Sequence, residues 1–176
     1  MSRLALLLAT AFAIGTFAYA EDKKDEKKDD DKLIKLVNVD SGKVLAIADD
    51  SDENEARVVL VKDEDKAGQH WKIVKDGEWL KIVHVKSGKV LDVNNASEDE
   101  DGEFIIWPEK SDDDGNDNQR FQWEGKGDER RLIAKHSKHA LGAKDGNAVQ
   151  KKSDEKAKDQ LWKIVEVKAK AKAEDK

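Results

Sequence analysis

Asp92, Trp107, Asn118 and Gln119 are a carboxylate, a flat indole and two amides. Side chains of these types hold a ligand by hydrogen bonds and by stacking. The residues that could react are poorly placed for it. Ser137 stands near His139, but no acid and no oxyanion hole accompany them, so a hydrolytic triad is not indicated. His136 and His139 lie near a turn with no third ligand in view, and they read as surface histidines rather than zinc ligands. Lys110 to Asn116 has the look of a calcium loop around Asp112, Asp114 and Gly115. An EF-hand, however, would need ligands at its first and twelfth positions, where this chain has Lys110 and Phe121. No metal and no cofactor are therefore expected. The many acids single out no carboxylate pair for glycoside hydrolysis.

What positions these residues is a threefold repeat. Val37-Asn38-Val39-Asp40-Ser41-Gly42-Lys43-Val44-Leu45 is echoed by Val83-His84-Val85-Lys86-Ser87-Gly88-Lys89-Val90-Leu91 and by Ile133-Ala134-Lys135-His136-Ser137-Lys138-His139-Ala140-Leu141. Each copy closes on a Gln-x-aromatic triplet: Gln69-His70-Trp71, Gln119-Arg120-Phe121 and Gln160-Leu161-Trp162. The openings recur after 46 and 50 residues and the triplets after 50 and 41. Three similar units, none able to bury its apolar face alone, imply one symmetric fold. Short β-branched runs such as Ile82 to Val85 are bounded by turn signals, and Ser41-Gly42 and Ser87-Gly88 suit hairpin tips. No stretch of the expected domain has a helical period, so the chain reads as all-β. Trp71, Phe121 and Trp162 are expected in the core near the pseudo-threefold axis, and the three Gln amides are expected to satisfy backbone groups beside them.

Composition limits the setting. Residues 1–20 read as a signal peptide, with Arg3, an apolar run from Leu4 to Ala13 and small residues at Ala18 and Ala20. Residues 21–32 are all Glu, Asp or Lys and cannot bury apolar area, so disorder is expected there. The ordered domain is expected over 33–167, with repeats at about 33–77, 78–128 and 129–167, and a charged tail at 168–176. Export to an extracytoplasmic or secreted location follows from the signal, with no membrane insertion after cleavage. The net charge of −6 argues against nucleic acid as a partner. With no Cys, packing alone must hold the fold. The sequence leaves the oligomeric state open.

Hairpin-loop-hairpin units ending in Gln-x-Trp or its variant resemble the ricin B-chain-type lectins over essentially the whole expected domain. The resemblance implies a β-trefoil of twelve strands. It also implies where a sugar would sit. In such units an Asp follows the hairpin, an aromatic comes about fifteen residues later, and a polar Asn precedes the Gln-x-Trp. The second repeat has Leu91-Asp92-Val93, then Trp107-Pro108, then Asn118-Gln119, with fifteen residues from Asp92 to Trp107. The first has Ala46, Val61 and Gly68 at those places, and the third has Gly142, Lys151 and Asp159. One sugar site, in the second repeat, is thus implied: Asp92 accepts hydrogen bonds from hydroxyls, Trp107 stacks on a pyranose face, Asn118 donates and accepts, and Gln119 orients the others. Val90 and Glu109 stand where the family often has a disulfide, and Ile105 where it often has a Gln. Strand alternation places Leu91 and Val93 in the core and sends Asp92 outward. The function implied is a non-catalytic carbohydrate-binding module. The alternative is a trefoil scaffold used for protein contacts or an envelope role, in which Trp107 would be covered and Asp92 dispensable.

Overall fold

The computed structural model describes residues 32–111 and 115–167. The expected signal peptide, all but the last residue of the charged segment, and the tail lie outside the described residues. Twelve strands run through the described chain: β1 Ile34–Asn38, β2 Val44–Ile47, β3 Val58–Val61, β4 Trp71–Asp76, β5 Trp79–His84, β6 Val90–Val93, β7 Phe104–Trp107, β8 Phe121–Glu124, β9 Glu129–Ala134, β10 Ala140–Lys144, β11 Asn147–Lys151 and β12 Trp162–Glu166. Some alternate as half-buried strands should, while β2 and β6 are buried at every position. In β1, Ile34, Leu36 and Asn38 are buried while Lys35 and Val37 are not. Single-turn 3-10 segments break the chain, among them Ala67–Gln69, Asp117–Gln119 and Lys158–Gln160 before each closing strand. No helix among the described residues is long and apolar enough to cross a membrane.

Six strands close a barrel. β1 pairs with β4 and β12, β5 with β4 and β8, and β9 with β8 and β12, all antiparallel. Closure leaves this ring without a free edge. The other six form three hairpins, β2–β3, β6–β7 and β10–β11. Each continues from a barrel strand through one register pair: Val37 with Val44, Val83 with Val90, and Ile133 with Ala140. The hairpins meet in a triangle through Asn147 with Val59, Arg57 with Ile105, and Glu103 with Val149. This is a β-trefoil.

Trp71, Phe121 and Trp162 are completely buried at equivalent places in the three units. The indole N–H of Trp71 donates to the Leu45 carbonyl at 3.0 Å, and that of Trp162 to Leu141 at 2.8 Å. Each indole so fastens the closing strand of its unit to the hairpin of the same unit. Phe121 has no such donor and instead lies 6.2 Å from Phe104, ring centre to ring centre.

Candidate functional site

The three Gln side chains do the same work. Gln69 donates to the Lys62 carbonyl at 2.7 Å and accepts from the N–H groups of Glu64 and Lys66. Gln160 donates to the Lys152 carbonyl and accepts from the Asp154 N–H, both at 3.0 Å. Gln119 donates to the Pro108 carbonyl at 3.0 Å and accepts from the Lys110 N–H at 2.9 Å. All three are buried. Each amide clamps the chain as it leaves the hairpin onto the 3-10 turn that precedes the closing strand, satisfying backbone groups that burial would otherwise orphan.

In the second unit this clamp acquires a carboxylate. Asp92 lies on β6 opposite Ile105, between the core residues Leu91 and Val93. Its side chain leaves the barrel interior, as alternation requires, yet is only 2% exposed. The 3-10 turn Asp117–Gln119 and the side chain of Lys110 lie across it. Oδ1 accepts from Asn118 Nδ2 at 2.7 Å, and Oδ2 accepts from Gln119 Nε2 at 2.8 Å. The Lys110 ammonium stands 3.2 Å from Oδ2. Burial pushes the Asp92 carboxyl above the ordinary carboxylate range, opposed by the Gln119 hydrogen bond and the Lys110 charge. Asp92 therefore does not project into solvent as the strand pattern alone suggests. Strand alternation decides which face a residue takes, and a neighbouring segment decides whether that face is wet.

Asn118 is also buried and also tied down: its amide donates to the Val93 carbonyl at 2.9 Å, and its Oδ1 accepts from Lys110 Nζ at 3.1 Å. Trp107 ends β7 opposite Val90 and is half-buried, followed by the exposed Pro108. The structure thus joins Asp92, Asn118 and Gln119 directly, whereas Trp107 is linked to them only through the chain: it precedes Pro108, whose carbonyl Gln119 holds, and stands two positions along β7 from Ile105, the register partner of Asp92. Lys110 is the member that the sequence reading omitted. Its signal in the repeat is weak: the residues at the same offset before the sibling Gln side chains are Glu64 and Asp154, but Lys66 also meets Gln69 in the first unit.

The sibling units are built differently at the same place. In the first, Ala46, Val61, Gly68 and Gln69 line an open cavity of about 380 Å³ together with Asp50 and Lys66. The Asp50 carboxylate there occupies the space a side chain at Gly68 would need. In the third, the stem of Lys151 crosses Gly142, 2.6 Å from where a Cβ would stand, and its ammonium reaches Asp101 at 2.7 Å. Among the described residues no cluster of His, Asp and Glu is arranged to hold a metal ion. His136 is half-buried, with Nε2 at 2.9 Å from the Ser97 carbonyl.

Comparison with known proteins agrees with this geometry. Among curated proteins nothing matches. The structure of ThreeFoil, a designed threefold-symmetric protein, is 31% identical with a TM-score of 0.70, and the match covers 77% of this chain and 99% of that one. An exo-β-1,3-galactanase from Clostridium thermocellum is 34% identical with a TM-score of 0.71. That match covers 78% of this chain but only 31% of the enzyme, so the likeness is to one part of it. A Polyporus squamosus lectin, whose structure holds the epitope Neu5Acα2-6Galβ1-4GlcNAc, shares the fold at 15% identity and a TM-score of 0.64, over 76% of this chain and 48% of that one. The description of the ricin-type β-trefoil lectin domain-like family matches residues 20–107, half of the sequence. With twelve strands closed around three equivalent aromatic residues and three Gln clamps, the chain belongs to the ricin-type β-trefoil lectin-like family.

Proposed function

We propose that the protein is a secreted, non-catalytic carbohydrate-binding module with a single sugar site in its second unit, formed by Asp92, Trp107, Asn118 and Gln119. The observation that carries this reading is the Asp92–Asn118–Gln119 network, found in one unit of three, on the hairpin whose second strand ends in the half-buried Trp107. Nothing in the fold requires it, since the first and third units close equally well with Ala46 and Gly142 in place of the acid. A buried carboxylate has a desolvation cost that a purely structural unit avoids. The indole supplies a flat apolar face, and the amides and carboxylate supply donors and acceptors for hydroxyls. The likeness to part of a galactanase and to lectin folds supports a sugar as the ligand class, with galactose-type hexoses the first to try. A single shallow site of this kind binds at about −4 to −8 kcal/mol, millimolar to micromolar.

The scaffold reading has one observation in its favour: the Asp92 carboxylate is already saturated by protein donors. A glycan array separates the two. Residues 21–176 are screened beside Asp92→Ala and Trp107→Ala variants shown to fold. Binding that both substitutions abolish establishes the site and names the sugar class. A folded wild-type protein that binds no glycan supports the scaffold.

A further inference from the structure

The Asp92 carboxylate has three neighbours, and they are not alike. Asn118 and Gln119 are clamped by second hydrogen bonds to the Val93 and Pro108 carbonyls, so their amides are fixed. Lys110 reaches Asp92 on a four-carbon tether, and its side chain is 27% exposed. Its ammonium lies 3.2 Å from Asp92 Oδ2 and 3.1 Å from Asn118 Oδ1. It therefore occupies the two atoms at which the proposed site would meet a ligand, and it is the neighbour that can leave.

What replaces it is constrained by charge. Asp92 sits where burial already disfavours its ionised form. A neutral hydroxyl in place of Lys110 would leave that carboxylate with hydrogen bonds but without its ion-pair partner. An ammonium on the ligand would restore the pair, with three N–H donors where Lys110 has three. The exposed acids next in the chain to Lys110 and Asn118 are already paired, Glu109 with Lys81 and Arg120 and Asp117 with Lys135, so only the net charge of −6 on the whole chain adds a long-range attraction for a cation. Where the acid is absent, at Ala46 and Gly142, the residues equivalent to Lys110 are Glu64 and Asp154, although the first unit keeps Lys66 beside its own Gln69.

We propose that the second unit selects sugars bearing a free amine, with the protonated amino group of a hexosamine taking the place of the Lys110 ammonium on Asp92 and Asn118. This rests on the carbohydrate-binding reading above and names the ligand class of the same site. Lys110 is then a built-in competitor that keeps Asp92 paired until an amino sugar arrives.

The test titrates the wild-type protein by calorimetry, at a pH below the sugar amine's pKa, with glucosamine, galactosamine, their N-acetyl forms and the parent hexoses. The free amines should bind at least about tenfold more tightly than the N-acetyl forms, the scale of one charge-assisted hydrogen bond. Lys110→Met, which keeps the stem and removes the competitor, should tighten amine binding by about tenfold, and Asp92→Asn should erase the preference. An N-acetyl or neutral sugar that binds as well as its amine overturns the inference while leaving the carbohydrate-binding reading standing. Absence of amine binding in both wild type and Lys110→Met also overturns it, and the glycan array then judges the wider reading separately. Since the main comparison is among ligands on the wild-type protein, a poorly folding variant does not blunt it.

Discussion

Asp92 and His84 are two buried ionisable groups that respond to acid in opposite senses. Burial raises the Asp92 carboxyl, so its contribution to stability is fully present below the unfolded value of 3.8 and is lost as pH rises through the folded value. His84 is fully buried against Trp71, with Nδ1 2.9 Å from Ser87 Oγ and Nε2 without a partner. Burial lowers its pKa, so its contribution is present above the unfolded value of 6.5 and is lost as pH falls from there through the folded value. The two trends oppose each other as pH falls, so the His84 part is read in an Asp92→Asn background, where the carboxyl no longer titrates. That protein should unfold at lower urea at about pH 5 than at about pH 7.5. His84→Asn, which copies Asn38 of the first unit, should flatten that slope, and an unchanged slope would place its cause elsewhere. Asp92→Ala should cost about 1–3 kcal/mol in urea unfolding, a moderate loss because Asn118 and Gln119 keep their backbone acceptors.

The hairpin and its Gln clamp are the unit of construction at the next scale. Gln160→Ala leaves the Lys152 carbonyl and Asp154 N–H without their partner and should cost about 1–3 kcal/mol. Gln119→Ala breaks the same clamp and also strips a donor from Asp92, so its loss should be larger by about 1 kcal/mol. Melting temperatures of the two variants compare them directly, and equal losses would mean that Asp92 gains little from Gln119. The hairpin tip has its own requirement. Gly88 stands at φ +70° with open space around its Cα, so Gly88→Ala meets strain without a clash and should cost about 1 kcal/mol. Ser137-Lys138 makes the equivalent turn in the third unit with a side chain at φ +60°, so the fold tolerates this cost. The Gln triplets and Ser-Gly tips were legible in the sequence because each performs a local task at a fixed offset.

Across the whole molecule, closure makes the three units depend on one another. Trp162 is buried in the common core, and its indole N–H holds Leu141. Trp162→Ala should cost about 3–5 kcal/mol, and because β12 pairs with both β1 and β9, the loss should appear in a single cooperative transition. A separate early transition in the third unit, seen by circular dichroism against tryptophan fluorescence, would show that the units fold independently. The barrel also explains how one unit can carry the proposed site without the other two being rebuilt. Ala46 and Gly142 occupy the hairpin positions of Asp92 without altering the register of β2–β3 or β10–β11.

The sequence by itself determined the threefold plan, the strand-rich class and the core aromatic residues, because periodic apolar patterning and turn residues act through neighbours along the chain. It also brought Asp92, Trp107, Asn118 and Gln119 to notice, through the resemblance to ricin-type units and the absence of the first three from the other two copies. The tertiary structure alone decided that Asp92 is covered, since burial of a strand's outer face depends on the segment folded over it, here the Asp117–Gln119 turn. It alone decided that Lys110 joins the Asp92–Asn118 network. Lys110 is eighteen residues from Asp92 in the chain and meets it at 3.2 Å only because the Gln119 clamp holds its backbone there. Contacts between side chains brought together by closure of a hairpin leave no periodic trace in sequence, and the proposed ligand preference rests on one of them.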